Sequence, residues 1–493
     1  MNKPIYVWLT TRKIFRLISA LILLVVAGRA FDTNGQTLTT LWSFYGQYNP
    51  STGQFEGALP VSALIQGSDG NFYGTTVEGG YTHGTVFRVS PSGALTTTYL
   101  FLGPYNTPSD GDSPNGPVVQ GNDGNFYGTT LNGGGCGENG GGCNYGCGTV
   151  FRMTPSGAET NLHSFCAYSD GAGPTAGLVQ GYDGNFYGTT SSGGTICCAS
   201  FGTIFRISPS GVFTTLYAFS NSPSDGAVPS QQGLIQGSDS NFYGTTEGVK
   251  WWTGGATGTI FRINPSGVFS NLYTFLGQTN GYLPNGGLVQ GSDGSFYGTT
   301  QGGGTNGSFG TMFRISPSGN FTSLHSFSRS EGAYPSALVL GSDGNFYGTT
   351  GSGGTYSNGT VFRISRSGSL TALLSIQGTA PNGLVQGSDG GFYGTTAQGG
   401  IYSNGTVCKF SIPLNPPANQ ISAIQVMSNN HVISVLSVAG ETYQLQFSSS
   451  MNPTNWVNVP GVSVTNSIGA LLTLTNFGGA VGPQGFYRFD IMP

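Results

Sequence analysis

The run Leu64-Ile65-Gln66-Gly67-Ser68-Asp69-Gly70-Asn71-Phe72-Tyr73-Gly74-Thr75-Thr76 begins with a short apolar segment suited to a buried strand. Ser68-Asp69-Gly70-Asn71 then reads as a tight turn, because Asp-Gly tolerates the positive φ that hairpins demand. Phe72 to Thr76 is aromatic and β-branched, as a second strand requires. Gly74 is expected to admit a neighbouring backbone. A Gly-rich loop leads to a third strand, Thr85 to Val89. Pro91-Ser92-Gly93 makes another turn, with Pro presetting φ and Gly taking the left-handed position, and Ala94 to Phe101 is the fourth strand.

The pattern recurs along the chain. Phe-Tyr-Gly-Thr-Thr occurs seven times, with its tyrosine at Tyr73, Tyr127, Tyr187, Tyr243, Tyr297, Tyr347 and Tyr393. Four antiparallel strands in about 50 residues form one blade, and radial repetition of blades is a propeller. The last copy stops after its third strand, Gly405 to Phe410, whereas a spare fourth strand, Thr37 to Phe44, precedes the first copy. A ring uses that offset to join its ends and hide two strand edges. A solenoid would need distinct capping units instead. The fold class is therefore all-β: a seven-bladed β-propeller over 37–413, closed by its N-terminal strand, plus a small C-terminal module.

These residues carry a resemblance. Asp-Gly-x-Phe-Tyr-Gly-Thr-Thr, a Gly-Gly loop and Gly-Thr-Val-Phe-Arg together resemble the Gloeo/Verruco tandem repeat. The resemblance covers about 37–413 and implies exported bacterial surface proteins with variable anchoring ends; it implies no activity. Copy four departs from it at Asp239-Ser240 and Lys250-Trp251-Trp252, and copy seven at Cys408-Lys409.

The composition agrees with a turn-rich β protein. Gly is 85 of 493 residues, aromatics are 12% and charged residues only 7%. The net charge is −4, with no basic run beyond the N-terminus, so no nucleic-acid partner is expected. Lys3, Arg12, Lys13 and Arg16 precede the apolar Leu17 to Ala27 and the small-x-small Gly28-Arg29-Ala30. Residues 1–30 thus read as a signal peptide, too short in its apolar part to span a bilayer. No membrane span is expected in the mature chain, which is placed outside the cytoplasm. Cys136, Cys143, Cys147, Cys166, Cys197 and Cys198 are the disulfide candidates, with fifteen possible pairings, and Cys408 stands apart in a strand. Their spacings match no closed zinc site. Pro413, Pro416 and Pro417 mark a stiff linker (414–420). Residues 421–493 read as a small β-sandwich-like module, with strands at Ile424–Val426, Val432–Val438, Tyr443–Phe447 and Leu471–Leu474. Gly440 to Gln446, Asn455-Trp456 and Phe486-Tyr487-Arg488 are similar to a C-terminal module on exported proteins of the same bacteria. The tail shows no terminal apolar helix with a basic end, so membrane sorting is not expected of it.

Within a blade, the first-to-second and third-to-fourth turns share one face and barely vary between copies. The second-to-third loops and the crossovers share the other face and differ in length and content, which is where function usually sits. That face carries the candidate ligand-binding residues Trp251, Trp252, Lys250, Tyr81, Tyr145, Tyr356 and Tyr402, with Phe201 and Phe309 also in its loops. Tyr and Trp in Gly-rich loops offer rigid contact surface to a glycan or a cell-surface protein. The competing reading is that these rings pack over their own blades.

The repeated charges are read as structural: Asp69, Asp123, Asp183, Asp239, Asp293, Asp343 and Asp389 at the turn, and Arg88, Arg152, Arg206, Arg262, Arg314 and Arg363 in the third strand. One carboxylate per turn falls short of a calcium site. His163 and His325 occupy a fourth-strand slot where other copies place Tyr. His83 lies on the variable face without an evident acid partner, and His431 lies in the tail. A carboxylate pair among loop residues such as Glu78, Glu138, Glu247 and Asp112 would be needed for glycoside cleavage, and no spacing supports one. No catalytic residue, cofactor or metal is assigned. A binding or surface-interaction propeller is the favoured function, with a structural surface role second and a polysaccharide-acting enzyme third.

Overall fold

The computed structural model describes residues 37–103, 110–135, 146–167, 170–194, 201–222, 224–248, 258–284 and 286–411, and the backbone of strands at 30–31 and in the tail. Residues up to 29, read above as a signal peptide, residues 414–420, read as a linker, and Lys250, Trp251, Trp252, Tyr145, Cys136, Cys143, Cys197 and Cys198 lie outside the described residues.

Seven β-sheets, each built on four antiparallel strands, make a seven-bladed propeller. Blade 1 takes Ile65–Gln66, Phe72–Thr76, Thr85–Val89 and Leu95–Leu100 in that order. Blade 7 takes Leu384–Gln386, Phe392–Thr396 and Thr406–Ser411 from the end of the repeats, and Thr37–Ser43 from the start. The closing strand runs antiparallel to Thr406–Ser411 with Thr37 opposite Ser411, Thr40 opposite Cys408 and Trp42 opposite Val407. Leu41 is left over as a bulge, and every outer strand shifts register at this same place.

The core is laid down blade by blade. In the second strand Phe72, Tyr73 and Thr75 are buried, and across the third strand Val86, Phe87 and Val89 are fully buried. Gly74 lies opposite Phe87. A Cβ on Gly74 would sit 2.6 Å from Phe87 Cζ, so the glycine makes room for a ring, not for the backbone that the sequence suggested. Gly128, Gly188, Gly244, Gly298 and Gly348 do the same for Phe151, Phe205, Phe261, Phe313 and Phe362. In blade 7 that phenylalanine is Cys408, whose sulfur points at the Gly394 carbonyl 3.4 Å away. Burial pushes the Cys408 thiol up to about 12, so it is an inert core group.

Blades join through rings. The tyrosine of each blade lies against the phenylalanine of the next: Tyr73 on Phe126, Tyr127 on Phe186, Tyr187 on Phe242, Tyr243 on Phe296, Tyr297 on Phe346 and Tyr347 on Phe392. Tyr393 on Phe72 completes the circuit, at a centroid distance of 3.9 Å. Glutamines clip the same joints. The Ser68, Asn122, Tyr182 and Ser238 N–H groups donate to the side chains of Gln120, Gln180, Gln236 and Gln290, one blade on, and Ser388 N–H donates to Gln66 across the closure. Leu340 takes the glutamine slot in blade 6 and supplies no such acceptor.

The tail forms two three-stranded antiparallel sheets, one ordered Ile421–Met427, Asn430–Leu436, Leu471–Asn476 and the other Val457–Thr465, Thr442–Ser448, Phe486–Met492. Among the described residues there is no α-helix.

Gly188→Ala is expected to cost about 1–3 kcal/mol, because the added methyl meets Phe205 in a packed core. The check is a lower denaturant midpoint at unchanged slope.

Candidate functional site

The uniform face is built from one repeated unit. Asp69 accepts from the Asn71 backbone and side chain and, at 2.9 Å, from the Tyr73 hydroxyl. Asp123, Asp183, Asp239, Asp293 and Asp389 accept from Tyr127, Tyr187, Tyr243, Tyr297 and Tyr393 in the same way. Arg88, Arg152, Arg206, Arg262 and Arg314 lie directly opposite the first five of these tyrosines in the third strand, Arg363 lies opposite Tyr347, and Lys409, opposite Tyr393, bonds Asp389 at 2.7 Å. Burial alone would raise the carboxyl of Asp123, but the donated hydrogen bonds outweigh it and hold the group below its ordinary range. The partner tyrosine moves the other way: desolvation, then Asp123, push Tyr127 up to about 12. This face is occupied with itself.

On the variable face, the crossovers leaving blades 1 to 5 each carry a polar group that meets the outer-strand ring of its blade. Asp110 accepts from the Tyr99 hydroxyl at 2.7 Å and from Leu102 N–H. Asp170 pairs with His163 at 3.0 Å and Asp225 with Tyr217 at 3.1 Å. His325 lies 3.4 Å from Glu331, and Asn280 bonds Tyr273. His163 thus does the work of the tyrosine it replaces, and His325 sits in the same slot beside an acid. Beyond each anchor, the residue before a proline holds a positive φ: Leu59, Ser113, Val228, Leu283 and Tyr334. Its N–H reaches back to the preceding blade, as in Leu59 to Asn404 O and Ser113 to His83 O. Such left-handed non-glycine residues persist only where neighbours over-determine them.

The closing seam elaborates this plan. Between the closing strand and blade 1, residues 44–58 fold around Glu56, which is 1% exposed. Its carboxylate accepts from Trp42 Nε1, Tyr45 N–H, Asn49 Nδ2 and Thr52 Oγ1 at 2.6–3.2 Å. The insert also covers the bulged edge of blade 1, where Thr97 donates to Gln54 and to Phe55 O. Aromatic rings flank the carboxylate. Tyr48, Phe55 and Tyr81 form a chain at 5.3 and 4.6 Å, and Tyr45 packs edge-on against Tyr402 at 4.7 Å. Tyr48, Tyr81 and Tyr402 remain 50%, 52% and 45% exposed. The result is an aromatic surface on a pinned support.

A family model described as the Gloeobacter/Verrucomicrobia repeat matches residues 31–256 and 232–425. The chain belongs to the Gloeobacter/Verrucomicrobia repeat family. No curated protein matches this repeat protein. Solved structures similar to it include a streptogramin B lyase, at 15% identity over 77% of this chain and 99% of that one, TM-score 0.48. Hydrazine synthase of Kuenenia stuttgartiensis is similar at 14% identity over 71% and 95%, TM-score 0.46. PorZ, a surface component of the type-IX secretion system of Porphyromonas gingivalis, is similar at 11% identity over 86% and 56%, TM-score 0.44. At these values the likenesses carry no functional argument.

Of the ligand-binding candidates in this Gloeobacter/Verrucomicrobia repeat protein, the structure brings Tyr81 and Tyr402 to the seam and leaves Tyr356 half exposed in blade 6. Phe201 and Phe309 pack onto core clusters and are structural. Cys147 is buried in the core beside Phe165. Cys166 is a free thiol in this structure, against its expected place among the cross-linked cysteines; its sulfur lies 3.8 Å from Ser164 O.

Two groups escaped the sequence reading. His83 does have an acid: its Nδ1 lies 3.2 Å from Asp112, which also accepts from Ser113 Oγ. Asp112 occupies a slot held elsewhere by Ala58, Ala172, Ala227, Tyr282 and Ala333. Glu159 stands where Phe213, Phe269 and Phe321 stand in other blades, each opposite an isoleucine. Those phenylalanines stack on the preceding blade's His163, Tyr217 and Tyr273. Superposing the seven copies was the signal that could have exposed both.

Glu56→Ala leaves several donors unpaired, so a loss of about 1–3 kcal/mol is expected, with new proteolytic cleavage within 47–56 read by mass spectrometry. At the turns, folded-state values below the unfolded ones mean stability that is present above about pH 4 and lost as pH falls through the folded values. Asp123→Asn should flatten part of that acid limb in melts taken across pH, and an unchanged limb would remove the turn carboxylates as its cause.

Proposed function

We propose that this protein is an exported, non-catalytic binding propeller that presents its variable face, and chiefly the aromatic seam around Tyr81 and Tyr402, to a neutral surface glycan. The observation that carries the reading is the group of half-exposed tyrosines held in place by stacking and by an insert folded on a buried carboxylate. Rigid, amphipathic rings bind sugar faces at little entropic cost. The chain carries little charge, which suits a neutral ligand. Export is proposed from the N-terminal signal pattern and from the repeat family. Among the described residues no helix is long and apolar enough to cross a membrane. Pairing of Cys147 with a loop cysteine belongs to the same proposal, since an exported chain meets an oxidising compartment.

The second reading is a protein partner or a structural surface role, which the same exposed rings would serve. A glycan array with the mature protein separates the readings. Binding that falls at least tenfold in Tyr81→Ala and Tyr402→Ala is expected, a loss of about 1.4 kcal/mol or more. Binding lost only in Trp251→Ala or Trp252→Ala would move the site to blade 4. No binding to any glycan would overturn the glycan reading in favour of the second.

A further inference from the structure

The crossover from blade 1 to blade 2 differs from the others in carrying two acids, Asp110 and Asp112, each engaged by a titratable group outside the crossover. Asp110 is buried and meets Tyr99 of blade 1. Behind Tyr99 stands Glu159, in the slot where other blades stack a phenylalanine. The Glu159 Oε1 atom is buried without a hydrogen-bond partner. Two residues on, Asp112 meets His83 of the blade-1 loop, and Ser113 N–H bonds the His83 carbonyl while Ser113 holds a φ of 57°. His83 is itself packed closely against the Gly103 backbone.

We propose that the Asp110–Ser113 segment is a pH-controlled strap on the variable face, latched in mildly acidic surroundings and released as pH rises. A neutral Glu159 can fill the phenylalanine slot, whereas an ionised one stands beside the Asp110 carboxylate in a partly desolvated joint, and like charges there repel. The His83 ring holds the strap from its other end, with Nδ1 3.2 Å from Asp112. The groups facing Glu159 are Tyr99 on the blade-1 outer strand and Asp110 on the crossover; on its own strand His163 is committed to Asp170. Desolvation, then the Asp110 charge, push Glu159 up to about 7. A folded value above the unfolded one means that the folded joint holds the proton more tightly. Its contribution is full below the unfolded value and is lost as pH rises through the folded one.

The test is amide hydrogen exchange on the whole chain at about pH 5 and about pH 8, corrected for intrinsic exchange, with peptides covering 110–117 compared with 225–232. Protection of 110–117 is expected to fall about tenfold more than that of 225–232, one pKa unit's worth after allowing for partial exposure. Glu159→Gln and Glu159→Phe should abolish most of the difference while retaining protection at high pH. Equal protection of wild type at both pH values overturns the proposal, and this arm holds even if a variant fails to fold. Undiminished pH dependence in Glu159→Gln overturns it as well.

Discussion

One tyrosine laid on the next blade's phenylalanine, repeated without a gap, is the contact on which this molecule depends. The centroid distances run from 3.9 to 4.5 Å around the whole circle. Each such pair adds only about 0.5–1.5 kcal/mol beyond the area it buries. Its importance is geometric. The tyrosine is fixed at its hydroxyl by the turn aspartate and at its backbone by the third strand, so the ring transmits the position of one blade to the next. Two further joints repeat with it. The bulged residues of six outer strands abut the turn glycine of the next blade, and Leu41 against Gly93 makes that contact next to the closure. At six of the seven joints a proline lies against the glycine that opens the preceding third strand, Pro60 on Gly405 among them, and at Gly359 Ala380 takes its place.

These joints account for the composition. The repeated Asp, Arg, Tyr, Phe, Thr and Gln are consumed by the turns and joints, and each second threonine bonds a threonine of the third strand, as in Thr76 with Thr85. Little is left to vary except the second-to-third loops and crossovers. Variation there is cheap because the strained, proline-adjacent residues and the anchoring acids fix the loop ends. Charge placed in these loops is therefore free to differ from blade to blade, and it does so at Asp112.

The fold was legible because its signal is repeated, and because the offset between three-strand units and fourth strands has one geometric solution. Finer features were hidden. Gly74 announces a close approach but not its partner, and only the register reveals Phe87. In the tail, Val457–Thr465 includes Pro460-Gly461, which breaks the alternation by which a strand is recognised, and Phe486–Met492 reads as an aromatic motif before it reads as a strand. For the candidate site, the exposed rings of Tyr81 and Tyr402 were legible, whereas the support beneath them was not. Glu56 stands in the slot of Asp110, two residues before Ala58 as Asp110 is before Asp112, but its donors Asn49 and Thr52 reach it only through the fold of the 44–58 segment. His83 with Asp112, and Glu159 with Asp110, meet across a crossover, at separations that a linear reading does not bring together.

The closing strand also sets a schedule for assembly. Ser43 and Tyr45 find partners in Ile401 and Asn404, 358 and 359 residues away. Contacts so distant along the chain are slow to form, because the entropy of closing the loop is lost before any reward arrives. In a chain made from its N-terminus, the first strand of the ring must therefore wait as an unpaired edge until the last blade emerges. Through that interval the nascent protein carries its greatest liability to misassembly, and a chaperone that shields one short segment would relieve it.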